Sequence, residues 1–229
     1  MSNENINACW GIEMAFDTVV SSDAQRVRVW DGFVRLFHWI VTVSFFVAYF
    51  TEDDLLTLHV WAGYVIGALV IMRILWGFVG PRYARFSDFV CSPMKASRYL
   101  LDLLGLRAKR YLGHSPAGGW MVLILLAGLC ITVWSGLEVY AVEENAGPLA
   151  LGENSISIQT ARADEEHGSA KQRTHDRSGG SRFWREGHEL IANLMLFLVI
   201  LHVAGVLLAS FVHRENLVRS MADGWKRPE

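Results

Sequence analysis

The chain has 229 residues, of which 52% are hydrophobic and 19% are charged, with a formal net charge of -2 at pH 7. Soluble domains usually carry about 25% charged residues. The sequence has no basic stripe with interleaved aromatic residues, so we expect no nucleic-acid partner. The three cysteines form no Cys-x-x-Cys motif, which excludes a zinc knuckle and covalent haem attachment.

The N-terminal segment, residues 1–26, lacks a basic stretch followed by a long apolar core. It therefore does not resemble a cleaved signal peptide. We expect residues 1–26 to form a cytoplasmic tail and residues 27–227 to form one membrane domain.

Four long stretches are almost free of charge and predict membrane spans at about 33–50, 55–80, 120–140 and 188–212. A bilayer core of about 30 Å requires roughly 20 apolar helical residues. A soluble helical bundle is the alternative, but Leu190–Val212 contains no Asp, Glu, Lys or Arg, whereas a soluble helix keeps a polar face. The predicted fold class is all-α, an integral membrane four-helix bundle.

The distribution of basic residues predicts the orientation of the spans. The segment Pro81–Gly119 carries seven Lys and Arg residues, whereas the first hairpin loop, at residues 52–54, carries three acids. Because cytoplasmic loops are enriched in Lys and Arg, we expect the second loop and both termini in the cytoplasm of a bacterial inner membrane. The polar loop at about 141–187 is then periplasmic, and the absence of an apolar period over 153–181 predicts disorder there.

The second loop also contains a predicted amphipathic helix on the inner surface. Ser92-Pro93 is a typical helix start, and it precedes Tyr99, Leu100, Leu103 and Leu104 at helical spacing.

Histidine is the unusual feature of the spans. His38, His59, His188 and His202 lie within or at the edge of the apolar stretches, where imidazoles tend to be functional. His188 and His202 are 14 residues apart, which is about 21 Å along one helix face. This spacing suits two stacked cofactors better than one binuclear metal site.

The histidines can be paired by their expected depth in the bilayer. His59 matches His188 near the periplasm, and His38 matches His202 towards the cytoplasm. Two trans pairs of imidazoles are the arrangement of b-type haem, and the spans lack the carboxylates of a di-iron bundle. Each histidine taken alone could instead make a helix–helix hydrogen bond.

Small residues accompany the histidines on their own helix faces. Gly63, Ala192 and Gly205 follow a histidine by three or four residues and would leave room for a porphyrin edge. Ordinary packing between helices explains them equally well.

Two arginines are candidates for binding haem propionates. Arg35 lies one turn before His38, and Arg73 lies 14 residues after His59. Snorkelling to lipid headgroups is the alternative, and the greater depth of Arg73 favours the propionate. His114, which precedes a Pro-x-Gly-Gly turn, could bind a quinone oxygen or a propionate, or be an ordinary loop residue.

Five segments together resemble the prokaryotic cytochrome b-561 family, which includes the b-type cytochrome subunits of nickel–iron hydrogenases. They are VRLFHW, RILWGFVGPRYARFSDFV, YLGHSPAGGWMVL, FWREGHELIANL and LHVAGVLLASFVHRENLVRSM. The resemblance runs from about Val27 to Arg227. It implies a four-helix carrier of two haem b groups, with His38, His59, His188 and His202 at the ligand positions.

We therefore expect a di-haem cytochrome that carries electrons between the quinone pool and a periplasmic partner, either a c-type cytochrome or a hydrogenase-like protein. A bound quinone is a further expected cofactor. Two alternatives remain open. The chain could be an enzyme that oxidises a small periplasmic reductant such as superoxide, or an anchor subunit of a hydrogenase or cytochrome c complex.

Overall fold

The computed structural model describes residues 27–52, 55–150 and 170–226, with backbone only for 170–181. In chain order the elements are strand β1 (Val27–Arg28), helices α1 (Gly32–Phe50) and α2 (Leu56–Val79), a 3-10 turn (Arg82–Ala84), helices α3 (Phe86–Phe89), α4 (Pro93–Leu104), α5 (Pro116–Glu144), α6 (Ala170–Val212) and α7 (Leu217–Asp223), and strand β2 (Trp225–Lys226). The predicted tail at residues 1–26 lies outside the described residues.

Four of these helices are long and apolar enough to cross a membrane: α1, α2, α5 and the part of α6 from Arg182 to Val212. Large apolar side chains on them are exposed, for example Phe78 at 70% and Phe211 at 74%. Such exposure is expected where lipid rather than water surrounds the helices. The predicted fold class, an all-α multi-pass membrane bundle, is confirmed.

Side-chain caps explain where two of the spans begin. The Asp31 Oδ1 atom accepts a hydrogen bond from the Val34 backbone N–H at 2.9 Å, at the start of α1. The Ser115 Oγ atom accepts one from the Gly118 N–H at 3.1 Å, at the start of α5. Pro116 then occupies the first turn, where its missing N–H costs nothing. Helix α5 therefore begins before the predicted start at residue 120.

The spans pack as a row in which α1 contacts α2, α2 contacts α5, and α5 contacts α6 most extensively. Helix α6 approaches neither α1 nor α2 as closely. The buried apolar residues of the bundle form one cluster: Phe45, Ile66, Val70, Leu126, Leu129 and Met195. The fold therefore leaves space between α6 and the first two spans.

The segments that flank the bundle meet at one end. Strands β1 and β2 pair antiparallel, with Val27 opposite Lys226 and Arg28 opposite Trp225. Both ends of the four-span domain therefore lie on the same side, as an even number of spans requires.

The amphipathic helix predicted in the second loop is present as α4, with Tyr99 and Leu103 buried and Leu100 and Leu104 exposed. Ser92 precedes the helix, as expected, but its side chain makes no capping hydrogen bond. Pro93 at the first helical positions already removes one of the N–H groups that need a partner.

The loop predicted at 141–187 is shorter in the structure. Helix α5 continues to Glu144, and α6 begins at Ala170, well before residue 188. The prediction of disorder is thus corrected for residues 170–181, and residues 153–169 lie outside the described residues. A helix satisfies its own backbone hydrogen bonds, so it can extend beyond the membrane without the apolar period that marks a span.

Candidate cofactor sites between the spans

The first histidine pair joins α2 and α6. The ring centroids of His59 and His188 lie 6.1 Å apart, and the ring planes are inclined by 82°. An iron held between two imidazoles needs two metal–nitrogen bonds of about 2 Å and two centroid-to-nitrogen distances of about 1.1 Å, or about 6.2 Å in all. The separation of the two rings would therefore suit two histidines that hold one iron.

Hydrogen bonds fix which ring nitrogen of each histidine is free. The His59 Nδ1 atom lies 2.8 Å from the Ala48 carbonyl oxygen, which can only accept, so Nδ1 carries the proton. The Ser135 hydroxyl donates to the Thr132 carbonyl at 3.0 Å. It must therefore accept the 2.9 Å bond from His188 Nδ1. Both Nε2 atoms are left with a lone pair for a metal, as ligating histidines require.

A cavity of about 90 Å³, part of it open to the outside, borders this pair. Gly63 and Ala192 line the cavity, as expected from their positions after the histidines. A Cβ at Gly63 would meet no atom within 4 Å, whereas one at Gly136 would lie 3.0 Å from His188 Cε1. Gly136, which the sequence analysis did not identify, lets the His188 ring lie against α5.

The second pair joins α1 and α6 at the end where β1 and β2 lie. His38 on α1 and His202 on α6 are neighbours in the structure. The His38 Nδ1 atom is buried and has no hydrogen-bond partner among the residues that the structure describes. A Cβ at Gly205 would again meet no atom within 4 Å. Open space thus borders this site as well.

Arg73 is buried in the protein rather than extended to the membrane surface, with 3% of its surface exposed. Its Nη2 donates to the Ala84 carbonyl at 3.3 Å, and its guanidinium carbon lies 5.3 Å from the centre of the Phe86 ring. Its Nη1 is buried without a hydrogen-bond partner in the described part of the chain. Snorkelling therefore does not describe Arg73.

Arg35 has a similar unsatisfied group. Its Nη1 donates to the Asp223 carbonyl at 3.2 Å, which links α1 to the C-terminal segment. Its Nε is buried and lacks a partner within the described ranges. Buried N–H groups of charged side chains are costly when unpaired. Carboxylates such as haem propionates would fit both arginines.

His114 is an aromatic-packed residue rather than a solvated loop histidine. Its ring centroid lies 4.8 Å from that of Trp30 and 4.4 Å from that of Phe89. Burial, together with the charges of Arg73 and Lys226, lowers the pKa of His114 to about 3. The imidazole is thus neutral at physiological pH.

An apolar layer separates the two histidine pairs. Met195 lies seven residues from both His188 and His202, is 2% exposed and belongs to the buried cluster. It packs against Gly128, where a Cβ would meet the methionine sulfur. The equal spacing along α6 is the sequence signal that points to Met195.

The chain is similar to proteins of one known family. The family model of prokaryotic cytochrome b561 matches residues 29–224. A probable Ni/Fe-hydrogenase B-type cytochrome subunit from Azotobacter vinelandii is 25% identical, covering 87% of this chain and 88% of the relative. The protein of the same description from Azotobacter chroococcum mcd 1 is 26% identical with the same coverage. No solved structure matches the chain.

The chain belongs to the prokaryotic cytochrome b561 family, because the matched residues span most of its length. It is a membrane b-type cytochrome that takes part in electron transfer.

Proposed function

We propose that this member of the cytochrome b561 family holds two haem b groups, one between His59 and His188 and one between His38 and His202. The observation that carries the proposal is the first pair. Its rings are 6.1 Å apart, and both Nδ1 atoms are engaged by the protein, so both Nε2 atoms are available to iron. The second pair supports it through the buried Nδ1 of His38, which has no partner in the described part of the chain.

Haem b bound by two histidines would supply one-electron transfer rather than oxygen chemistry. The chain would orient the two ligands of the first site. The Ala48 carbonyl and the Ser135 hydroxyl hold the two imidazoles of the first site in one tautomer. The two sites are separated by about 21 Å along α6, so together they connect the two faces of the bilayer.

Buried positive charge supports the site of His38 and His202. Among the residues that the structure describes, Arg35 and Arg73 each keep a buried N–H group without a partner at this end of the bundle. An uncompensated buried charge is strongly destabilising, whereas a paired one is tolerated. We assign both arginines to the propionates of the haem in this site, and Arg73 has the stronger case because it is the more deeply buried.

The proposed electron path runs between quinone in the membrane and a redox partner in the periplasm. The relatives described as Ni/Fe-hydrogenase B-type cytochrome subunits favour a hydrogenase-like partner over a c-type cytochrome. The seven basic residues of Pro81–Gly119 support an inner-membrane orientation with both termini in the cytoplasm. The site of His59 and His188 is then the one nearer to the partner.

Haem content and quinone reactivity test the proposal. The purified protein should contain two haems per chain by the pyridine haemochrome assay, both extractable by acid acetone, with two components in a redox titration. One haem per chain, or haem that resists extraction, would contradict the two-site assignment. A short-chain quinol should reduce both components anaerobically, and failure to do so would contradict the quinone step alone.

A further inference from the structure

A wide groove opens at the end of the bundle where α6 leads into α7. One of its lining residues, Trp39, is the neighbour of His38, and the two rings lie 5.3 Å apart. The groove encloses about 700 Å³, and we call it the Arg214 groove. Its wall consists of Trp39 from α1 with Leu207 and Phe211 from α6, and its rim includes Arg214 and Arg219. Nothing in the proposed electron path uses these residues.

The backbone at Arg214 is unusual for a residue with a side chain. Helix α6 ends with the Arg214 N–H donating to the Phe211 carbonyl at 3.2 Å and the Glu215 N–H donating to the Ser210 carbonyl at 3.1 Å. This pattern places Arg214 in the left-handed conformation, with φ 49°. Glycine is the usual residue there, because a Cβ is sterically disfavoured. An arginine at this position suggests that its side chain has a binding role.

The charges around the groove leave its rim positive. Across the ranges 27–52, 55–150 and 170–226, no hydrogen bond or ion pair of the Arg214 guanidinium is found. Arg219 has a 3.5 Å ion pair with Asp223, but the arginine is 73% exposed, and such pairs contribute little. The Glu215 carboxylate is directed to Arg110, with both contacts at 3.1 Å. Glu215 also lines the groove, and its negative charge is balanced by Arg110, so Arg214 and Arg219 keep the rim positive.

The wall of the groove is apolar and accessible from the membrane. Trp39 is 44% exposed, Leu207 57% and Phe211 74%. Tryptophan is typical of the boundary between hydrocarbon and headgroups. A ligand that fits this combination has a negative head for the guanidinium groups and a long apolar tail for the wall.

We propose that the Arg214 groove is a binding site for an anionic phospholipid. The phosphate accepts hydrogen bonds from the planar guanidinium of Arg214, with Arg219 adding positive charge, and the acyl chains lie against Trp39 and Phe211. A zwitterionic lipid fits less well, because its ammonium group would meet the same positive rim. A quinone fits less well, because it carries no negative charge.

Native mass spectrometry of the detergent-solubilised haem-loaded protein tests the site, with phosphatidylglycerol and phosphatidylcholine of equal chain length added in turn. The wild type should retain one phosphatidylglycerol at least tenfold more tightly than phosphatidylcholine. Arg214→Gly should abolish this preference without lowering the melting temperature in phosphatidylcholine vesicles, because glycine suits the left-handed backbone. Arg219→Gln should weaken the preference, and Arg185→Gln, an exposed arginine near the other end of α6, should not change it.

Equal retention of the two lipids by the wild type, or an unchanged preference in Arg214→Gly, would overturn the proposal. Displacement of the lipid by millimolar inorganic phosphate would also overturn it, because the acyl chains would then contribute nothing. Displacement by a short-chain quinone would identify the groove as a quinone site instead.

Discussion

Replacing Arg73 with leucine should lower the midpoint potential of the haem at His38 and His202. Arg73 lies six residues before the end of α2 at Val79, and His38 lies six residues after the start of α1 at Gly32. Both are therefore about 9 Å inside the same end of the bundle. Packed helices are about 8–10 Å apart, so the guanidinium lies roughly 10 Å from an iron held by His38.

The magnitude follows from Coulomb's law. At an effective dielectric constant of about 20, a unit charge roughly 10 Å away contributes about 1.7 kcal/mol, or about 70 mV for a one-electron couple. A positive charge favours the reduced iron, so its removal lowers the potential by about that amount. Arg73→Lys keeps the charge and should show less than half of the shift.

A redox titration in membranes measures this shift, with the haem content of the variants determined in parallel. Arg82→Leu is the matched control, because the Arg82 side chain is 83% exposed and its ion pair with Asp88 is at the surface. Loss of one haem in Arg73→Leu agrees with the account, since the variant leaves a buried carboxylate unpaired. An unchanged potential at full occupancy would refute the role of Arg73.

Three further predictions concern the surroundings of the sites. Ser135→Ala should release one haem about 10–100-fold more readily, because His188 loses the acceptor of its Nδ1 proton. The rate of haem transfer to apomyoglobin measures this release, and an unchanged rate would argue against the hydrogen bond. Gly136→Ala should alter the low-spin electron paramagnetic resonance signal of one haem, because the new Cβ would lie 3.0 Å from the His188 ring, whereas Gly187→Ala, with nothing within 4 Å, should not. His114→Phe should make the free energy of unfolding less sensitive to a fall in pH. The folded-state pKa of His114 is about 3. The unfolded chain therefore binds its proton first as the pH falls, and the wild type loses up to about 2 kcal/mol of stability between pH 8 and 5. Thermal unfolding at pH 8 and at pH 5 measures this loss of stability. If His114→Phe loses as much stability as the wild type between the two pH values, the role of His114 is contradicted.

The spans were predictable because hydrophobic length alone marks a membrane helix. The position of His188 and His202 on one face of α6 was predictable because the helical repeat relates residues 14 apart. The ends of the helices were less predictable. Helix α5 begins at a cap formed by Ser115, and α6 extends into polar residues, where no apolar period marks a helix.

Contacts between helices were not predictable from one sequence. Ser135 reaches His188 only because α5 and α6 are rotated so that the two residues face each other. The short pairing of Val27 with Lys226 joins segments about 200 residues apart and has too few residues to show an alternating pattern. The unsatisfied nitrogens of Arg35 and Arg73 depend equally on tertiary packing.

The central claim is that His59 and His188 hold one haem while His38 and His202 hold the other. A combined optical and redox titration of the four single alanine variants tests it directly. His59→Ala and His188→Ala should each remove the same component or convert it to the high-spin form, and His38→Ala and His202→Ala should each affect the other one. Loss of the same component in His38→Ala and His188→Ala would contradict the pairing.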